Sequence, residues 1–209
     1  MEITTNNAVV SGKIASVPEY SHEAYGEKFY TFFLECKRLS STSDILPVTV
    51  SERLTGGEYQ RGDYVEINGQ IRSYNSYCEG RTKLILTVFA RDICRIDEDT
   101  VHKNIIELNG FICKPCVCRT TPFGRRIADI LLAVNRSYNK SDYIPCICWG
   151  RNAVFAGRLN IGDNILISGR MQSRIYQKRL SETETVERTA YEVSISKAEI
   201  LYDGGNAPV

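Results

Sequence analysis

The chain has 209 residues, of which 43% are hydrophobic and 24% charged, an ordinary composition for two small globular domains. It has no apolar run of membrane-spanning length, and MEITTNNAVV at its start lacks the charged-then-apolar pattern of an export signal, so we expect a cytoplasmic protein. The net charge of +1 conceals an asymmetry: residues 1–100 carry 11 Lys and Arg against 15 Asp and Glu (−4), and residues 101–209 carry 15 against 10 (+5). Only the second half has the charge balance expected of a polyanion binder.

An internal repeat organises the sequence. The segment GDYVEINGQIRSYNS at 62–76 recurs 100 residues later as GDNILISGRMQSRIY. Further matches lie 98 residues apart and pair Gly12, Gly26, Asp44 and Pro47 with Gly110, Gly124, Asp142 and Pro145. Two diverged copies of a unit of roughly a hundred residues therefore fill the chain, each long enough for its own core. We predict an N-terminal domain at 1–98, a C-terminal domain at 103–202 and a short flexible tail at 203–209, with DEDT at 97–100 as the linker.

Both copies predict a β-barrel. In the first, Val65, Ile67 and Ile71 alternate as in a strand with one buried face, and a glycine in mid-strand at 69, repeated at 169, indicates a sharp bend. The matching helix position in this copy, SERLTGGEYQ, contains two glycines that weaken a helix. In the second copy, alternation and β-branched content predict five strands and one helix, at 104–112, 127–134, 143–149, 151–159 (the helix), 164–172 and 190–198.

Five strands with a helix after the third is the pattern of the OB fold. The predicted fold class is all-β, with two tandem five-stranded OB-fold barrels, each with at most one short helix between strands 3 and 4.

The eight cysteines do not predict a disulfide framework, because the chain is long enough to fold without one and lacks an export signal. CKPCVC at 113–118 has one CxxC spacing but no second pair, and the histidines are only His22 and His102. Cys146 and Cys148 alternate along a predicted strand and are interpreted as small core residues. We expect no metal and no cofactor.

The third strand of the second copy, YIPCICW at 143–149, is apolar on both faces. One face carries Ile144, Cys146 and Cys148, and the other carries Tyr143, Ile147 and Trp149. A small barrel has one core, so the second face is covered by another domain or subunit, or is a platform on which nucleic-acid bases stack.

The fourth strand favours base stacking. Its outer face combines cations with an aromatic ring in Arg170, Arg174 and Tyr176, which provide phosphate attraction and stacking together. A solvated face would explain the arginines alone. Arg136 and Arg151 are the neighbouring cations that we include in the candidate site.

At this point the second copy resembles the bacterial single-stranded DNA-binding proteins. NGFICKP, TPFGRRIADILLAVNRSY, DYIPCICWGRNA and GDNILISGRMQSRIY are similar to successive strands of that family. The resemblance implies that the four aromatic stacking positions are Tyr138, Tyr143, Trp149 and Tyr176. The first copy departs at these positions, where it has Ser40, Ile45, Ser51 and Ser76, although Tyr74 and Tyr77 are nearby aromatic substitutes for one of them.

The expected function is non-catalytic coating of single-stranded DNA in replication, recombination or repair. No phosphate-cradling glycine loop, nucleophile elbow or zinc-hydrolase histidine pair indicates an enzyme. The resemblance implies a nucleoid-associated homodimer with four OB folds, and replication or repair proteins as further partners, although DGGNAPV does not resemble the acidic tail through which the family recruits them. Two alternatives stay open: a primosome-type accessory OB protein, and a protein-binding OB scaffold that uses Tyr143 and Trp149 as interface residues.

Overall fold

The computed structural model describes residues 6–40, 42–56, 58–78, 81–179 and 185–201, so the predicted tail at 203–209 lies outside the described residues. The first copy contains β1 (Asn6–Ile14), β2 (Glu19–Ala24), β3 (Glu27–Lys37), β4 (Ser43–Ser51), α1 (Glu52–Thr55), β5 (Tyr64–Cys78) and β6 (Arg81–Arg95). The second contains β7 (Asn104–Ile112), β8 (Val117–Thr120), β9 (Arg126–Arg136), β10 (Lys140–Trp149), α2 (Arg151–Ala156), β11 (Asn164–Arg179) and β12 (Thr185–Ile200).

Each copy closes into a five-stranded barrel. In the first, the ring runs β1–β5–β6–β4–β3 and returns to β1, and in the second it runs β7–β11–β12–β10–β9 and returns to β7. Four of the five contacts in each ring are antiparallel, and one is parallel, between β4 and β6 or between β10 and β12. Alternating aliphatic side chains fill both interiors. The prediction of an all-β tandem OB fold is confirmed.

The mid-strand glycines have the bending role that their repetition predicts. The strand pairing shifts between Asn68 and Gly69 on β5, and between Ser168 and Gly169 on β11. A Cβ atom at Gly69 would collide with the carbonyl oxygen of Phe89, and one at Gly169 with that of Ser194. Only glycine allows the two strands to approach this closely at the bulge.

Several elements differ from their predicted lengths. The short strands β2 and β8 were not predicted, because their side chains are almost all exposed and show no apolar alternation. The helix α2 ends at Ala156 rather than at 159, and α1 is a single turn that ends at Gly56, whose φ of 53° is left-handed. Neither helix in the described ranges is long and apolar enough to span a membrane.

The strands β5, β6, β11 and β12 are also longer than a barrel requires. Beyond their barrel sections, β5 pairs with β6 from residue 72 to residue 78, and β11 pairs with β12 from residue 173 to residue 179. We call these projections the N-ribbon and the C-ribbon. Successive residues at 74–75 and at 174–177 are all exposed, so the alternation of buried and exposed side chains that marks the barrel sections ends before the strands do.

The two barrels share one sheet. Strand β1 pairs antiparallel with β7, from Asn6 opposite Leu108 to Val10 opposite Asn104, which joins the twelve strands of the described ranges into a continuous sheet. At each end of this pairing an asparagine side chain binds the backbone of a ribbon strand. Asn6 exchanges two hydrogen bonds with Ile71, and Asn104 exchanges two with Met171.

Two fully buried carboxylates connect each barrel to the ribbon of the other. Asp44 on β4 accepts hydrogen bonds from Arg170 Nη1 (2.8 Å) and from the Ser173 amide (3.0 Å), both on β11. Asp142 on β10 accepts from Arg72 Nη1 (3.0 Å) and from the Ser73 amide (2.7 Å), both on β5. The contacts are reciprocal, so each ribbon is held over the other barrel.

We expect Asp142→Ala to destabilise the protein by about 3 kcal/mol, because it leaves a half-buried arginine and a buried amide without their acceptor. The matched control is Asp129→Ala, which removes an exposed ion pair with Arg119 in the same domain and should cost about 1 kcal/mol or less. Urea unfolding of both variants measures the difference. Equal losses would show that the buried carboxylate contributes nothing beyond a surface pair.

Candidate nucleic-acid interface

The strand β10 presents its two faces as the alternation predicts. Ile144, Cys146 and Cys148 lie in the core, whereas Tyr143 is 47% exposed and Trp149 is 41% exposed on the outer face. Burial raises the pKa of the Cys148 thiol to about 12 and that of Cys146 well above its ordinary value, so both thiols are protonated at neutral pH. The interpretation of these two cysteines as core residues is confirmed.

The outer face of β10 is not open along its whole length. Ile147, between the two aromatic residues, is only 3% exposed although it lies outside the core cluster. The apolar outer face therefore divides into a covered centre and two accessible ends, at Tyr143 and Trp149. An aromatic ring half open to solvent at each end is the geometry that a stacking platform requires.

The C-ribbon contributes a third aromatic residue, Tyr176, with a cation over its ring. The guanidinium carbon of Arg174 lies 5.6 Å from the centre of the Tyr176 ring, and Arg174 Nε lies 3.6 Å from Glu192 Oε1. Gln172 donates a hydrogen bond of 2.8 Å to the same glutamate oxygen. Tyr176 is 37% exposed and lines a cleft together with Pro145 of β10, so the ribbon brings it to the face that carries Tyr143.

Two of the predicted phosphate-binding arginines are paired with fully buried aspartates. Arg170 binds buried Asp44, which also accepts a hydrogen bond of 2.7 Å from Arg38 Nε. Burial, with Arg38 nearby, lowers the pKa of Arg170, while Asp44 acts in the opposite direction. Arg136 lies 3.7 Å from buried Asp142. Arg170 therefore connects the second domain to the first, whereas Arg136 on β9 binds a carboxylate of its own domain. Their sequence positions reveal neither role.

The remaining predicted residues lie at exposed turns. Tyr138 is 94% exposed at the β9–β10 turn, where its φ of 64° is left-handed. Arg151 is the exposed first residue of α2 and follows Trp149 by two positions. The structure thus places Trp149 and Arg151 at one end of the outer face of β10 and Tyr143 at the other.

The first domain contributes residues to this face that the sequence analysis missed. A cleft of about 620 Å³ between the two ribbons is lined by Phe33, Pro47 and Leu84 of the first domain, opposite Pro145 and Tyr176 of the second. Phe33 is 42% exposed, between the buried residues Phe32 and Leu34. Its place in the run YTFFLEC, out of phase with the core residues, is a signal that could have found it.

The counterparts of the aromatic positions in the first domain have other roles. The Ser51 hydroxyl accepts a hydrogen bond from the Arg53 amide (3.1 Å) and caps α1, and it also contacts Glu27. Ile45 donates its amide to Ser173 of the C-ribbon at 3.1 Å. Trp149, at the position that corresponds to Ser51, precedes a helix without a side-chain cap. At this position the first domain has a helix-capping serine where the second has an aromatic ring, so the serine has a local structural role in place of stacking.

Two closed barrels, one of them with exposed aromatic and basic side chains on an outer face, define a tandem OB-fold protein with a candidate nucleic-acid interface. Residues 103–201 match the Single-strand binding protein family. The "Single-stranded DNA-binding protein 2" of Listeria innocua serovar 6a is 34% identical over 94 residues, which cover 40% of this chain and 59% of that protein. The chain thus spans about three-fifths of the length of this curated relative.

A solved structure has the same architecture over nearly the whole chain. The wild-type single-stranded DNA binding protein from Thermus aquaticus superposes with a TM-score of 0.76 at 18% identity, covering 98% of this chain and 96% of that one. The N-terminal domain of PriB protein from Thermoanaerobacter tencongensis is 50% identical, covering 44% of this chain and 98% of that one, with a TM-score of 0.39. The predicted resemblance to the bacterial single-stranded DNA-binding proteins is confirmed, with residues 103–201 matching the family in sequence.

Proposed function

We propose that this protein binds single-stranded DNA without catalysis, through the outer face of the C-terminal barrel. The observation that carries the proposal is the pair of half-exposed rings on β10, Tyr143 and Trp149, with Tyr176 of the C-ribbon beside the same face. Successive bases stack on such rings whatever their sequence. The family match of residues 103–201 and the names of the relatives support the same ligand.

The proposed roles of the basic residues differ among themselves. Arg174 and Arg151 are exposed and supply phosphate contacts beside the rings. Arg170 and Arg136 are held on buried carboxylates and add positive potential, and Arg170 also joins the C-terminal domain to Asp44 of the first. Tyr138, at its exposed turn, extends the row of stacking positions. In this proposal the two domains, at 1–98 and 103–202, have different roles, and the C-terminal domain provides the principal binding face.

Binding to oligo-dT should weaken as salt rises, with a log–log slope of about −0.7 for each phosphate neutralised, because the strand releases counterions when it meets the basic face. Duplex DNA should bind much more weakly, since its bases are not available for stacking. Titrations of the full chain with both ligands at several salt concentrations measure this. Equal affinity for duplex and single strand, or a slope near zero, would refute the proposed interface.

Trp149→Ala should weaken oligo-dT binding by about 1–3 kcal/mol, the worth of one base–aromatic stack, and change the melting temperature little because the ring is outside the core. In the wild type, oligo-dT should quench the emission of this single tryptophan saturably. The matched control is Ile144→Ala on the same strand, a fully buried residue whose loss should cost about 2–5 kcal/mol of stability. A large drop in melting temperature for Trp149→Ala, with DNA-insensitive emission, would move this residue into the core.

The same titration separates DNA binding from the alternative of a protein-binding scaffold. A scaffold that uses Tyr143 and Trp149 as interface residues would leave the tryptophan emission unchanged by oligo-dT and show no salt-dependent binding. Such an outcome would favour the scaffold over the proposed function. An accessory role in the primosome would keep single-strand binding, so it is a role of the same interface rather than a competing site.

We also propose a nucleoid-associated cytoplasmic homodimer that brings together four OB folds, with replication or repair proteins as further partners. The expected mass is about 47 kDa, twice the 23.6 kDa of one chain. Sedimentation velocity at micromolar concentration, with and without oligo-dT, measures it. A single species at the mass of one chain under both conditions would contradict the homodimer.

A further inference from the structure

A cleft of about 650 Å³ lies at the junction of the two domains, on the first domain's side. Its walls come from four strands of the N-terminal domain and from the end of β9 in the C-terminal domain. The strands β2, β4, β5 and β6 contribute most of the lining residues, and Arg136 is contributed by β9. The volume is sufficient for a nucleotide, and the lining combines three kinds of chemistry.

Aromatic rings form the first kind. The His22 ring stacks on Phe29 with 4.9 Å between centroids and 11° between planes, and Phe29 in turn packs against Phe89 at 5.6 Å. His22 and Phe89 both line the cleft, and Tyr74, which is 51% exposed, lines it from β5. A base that enters the cleft therefore meets aromatic side chains from three strands.

Two arginines form the second kind. Arg72 and Arg136 line the cleft, and both bind buried Asp142, at 3.0 Å and 3.7 Å. Two guanidinium groups against one carboxylate leave one net positive charge. Because Asp142 holds both side chains in place, a phosphate that binds them loses little side-chain entropy.

Hydroxyl groups form the third kind. Thr49 and Thr87 both line the cleft, and their hydroxyls form a hydrogen bond of 2.9 Å with each other. Ser21 lies on the wall beside His22. Hydroxyls donate and accept, so they can bond to any base edge without selecting one base.

We propose that this cleft is a second nucleotide-binding subsite, in which a base stacks among His22, Tyr74 and Phe89 while its phosphate binds Arg72 and Arg136. The proposal rests on the proposed function and extends it to the first domain. Arg136 precedes Tyr138 by two residues, so the cleft adjoins the end of the proposed aromatic row. A single strand that leaves Tyr138 therefore meets Arg136 of the subsite next.

The subsite uses none of the family's four aromatic positions. Their counterparts in the first domain, Ser40, Ile45, Ser51 and Ser76, do not line the cleft. The aligned positions alone therefore predict no stacking residue in the first domain, although Tyr74 and Tyr77 lie near one of them in sequence. The geometry assigns stacking instead to Tyr74 and to rings contributed by β2 and β6.

The test uses the full chain and two lengths of oligo-dT, because an OB fold occupies about 4–16 nucleotides. Binding of a short ligand of about 8 nucleotides is measured by quenching of Trp149. Binding of a long ligand of about 30 nucleotides is measured by the anisotropy of a 5′ label. The variant His22→Ala/Tyr74→Ala should lower the affinity for the long ligand about ten-fold, within the range for loss of a base stack. Its affinity for the short ligand, measured at Trp149, should stay unchanged. The matched control is Tyr25→Ala, a fully exposed aromatic residue of the same domain that does not line the cleft.

Photocrosslinking of the wild type provides a readout that does not depend on the folding of a variant. A 30-nucleotide oligo-dT with 5-iodouracil at successive positions should form adducts at His22, Tyr74 or Phe89, identified by mass spectrometry. If the His22→Ala/Tyr74→Ala variant bound the long ligand as tightly as Tyr25→Ala does, and adducts formed only in the C-terminal domain, the subsite would be refuted and the proposed function would stand. Absence of binding by the wild type at both lengths would instead refute the proposed function, and the subsite with it.

Discussion

The burial of Asp44 and Asp142 is the constraint on which the arrangement of the two barrels depends. Each carboxylate is fully buried near the start of its strand and accepts hydrogen bonds from the ribbon of the other domain. Each aspartate also pairs with an arginine of its own domain, Arg38 or Arg136. Because a buried carboxylate with unsatisfied oxygens is costly, the hydrogen bonds from the opposite ribbon complete its set of partners and favour the ribbon's place over it. The pairing of β1 with β7 sets the barrels side by side, and the two carboxylates then determine where the ribbons lie.

In the reciprocal contacts, an arginine and a glutamine have exchanged places between the two copies. The first copy has Gln70 and Arg72 on the outer face of β5, whereas the second has Arg170 and Gln172 at the corresponding positions of β11. An arginine reaches the opposite carboxylate in both cases, from positions two residues apart. The long, flexible arginine side chain tolerates this shift, so the contact is retained although the sequence position is not.

This constraint also shapes the candidate interface. Because the C-ribbon lies across the first barrel, Tyr176 faces Phe33 and Pro47 as well as Pro145. Because the N-ribbon lies across the second barrel, Arg72 and Arg136 meet on one carboxylate and line a cleft to which both domains contribute. The proposed binding surfaces therefore draw on both domains, and the first domain contributes to them through residues outside the family's aromatic positions.

The sequence by itself determined the repeat, the two barrels and the orientation of β10, because these follow from period-two alternation, repeated glycines and local spacing. Cys146 and Cys148 could be assigned to the core, and Tyr143 and Trp149 to the outer face, from seven consecutive residues. The short strands β2 and β8 escaped prediction, since exposed side chains carry no apolar period. Only the tertiary structure decided the partners of Arg170 and Arg72, because Asp44 and Asp142 lie 126 and 70 residues away along the chain. A contact between charges so distant in sequence depends on how two folded barrels pack, and no local pattern encodes that packing.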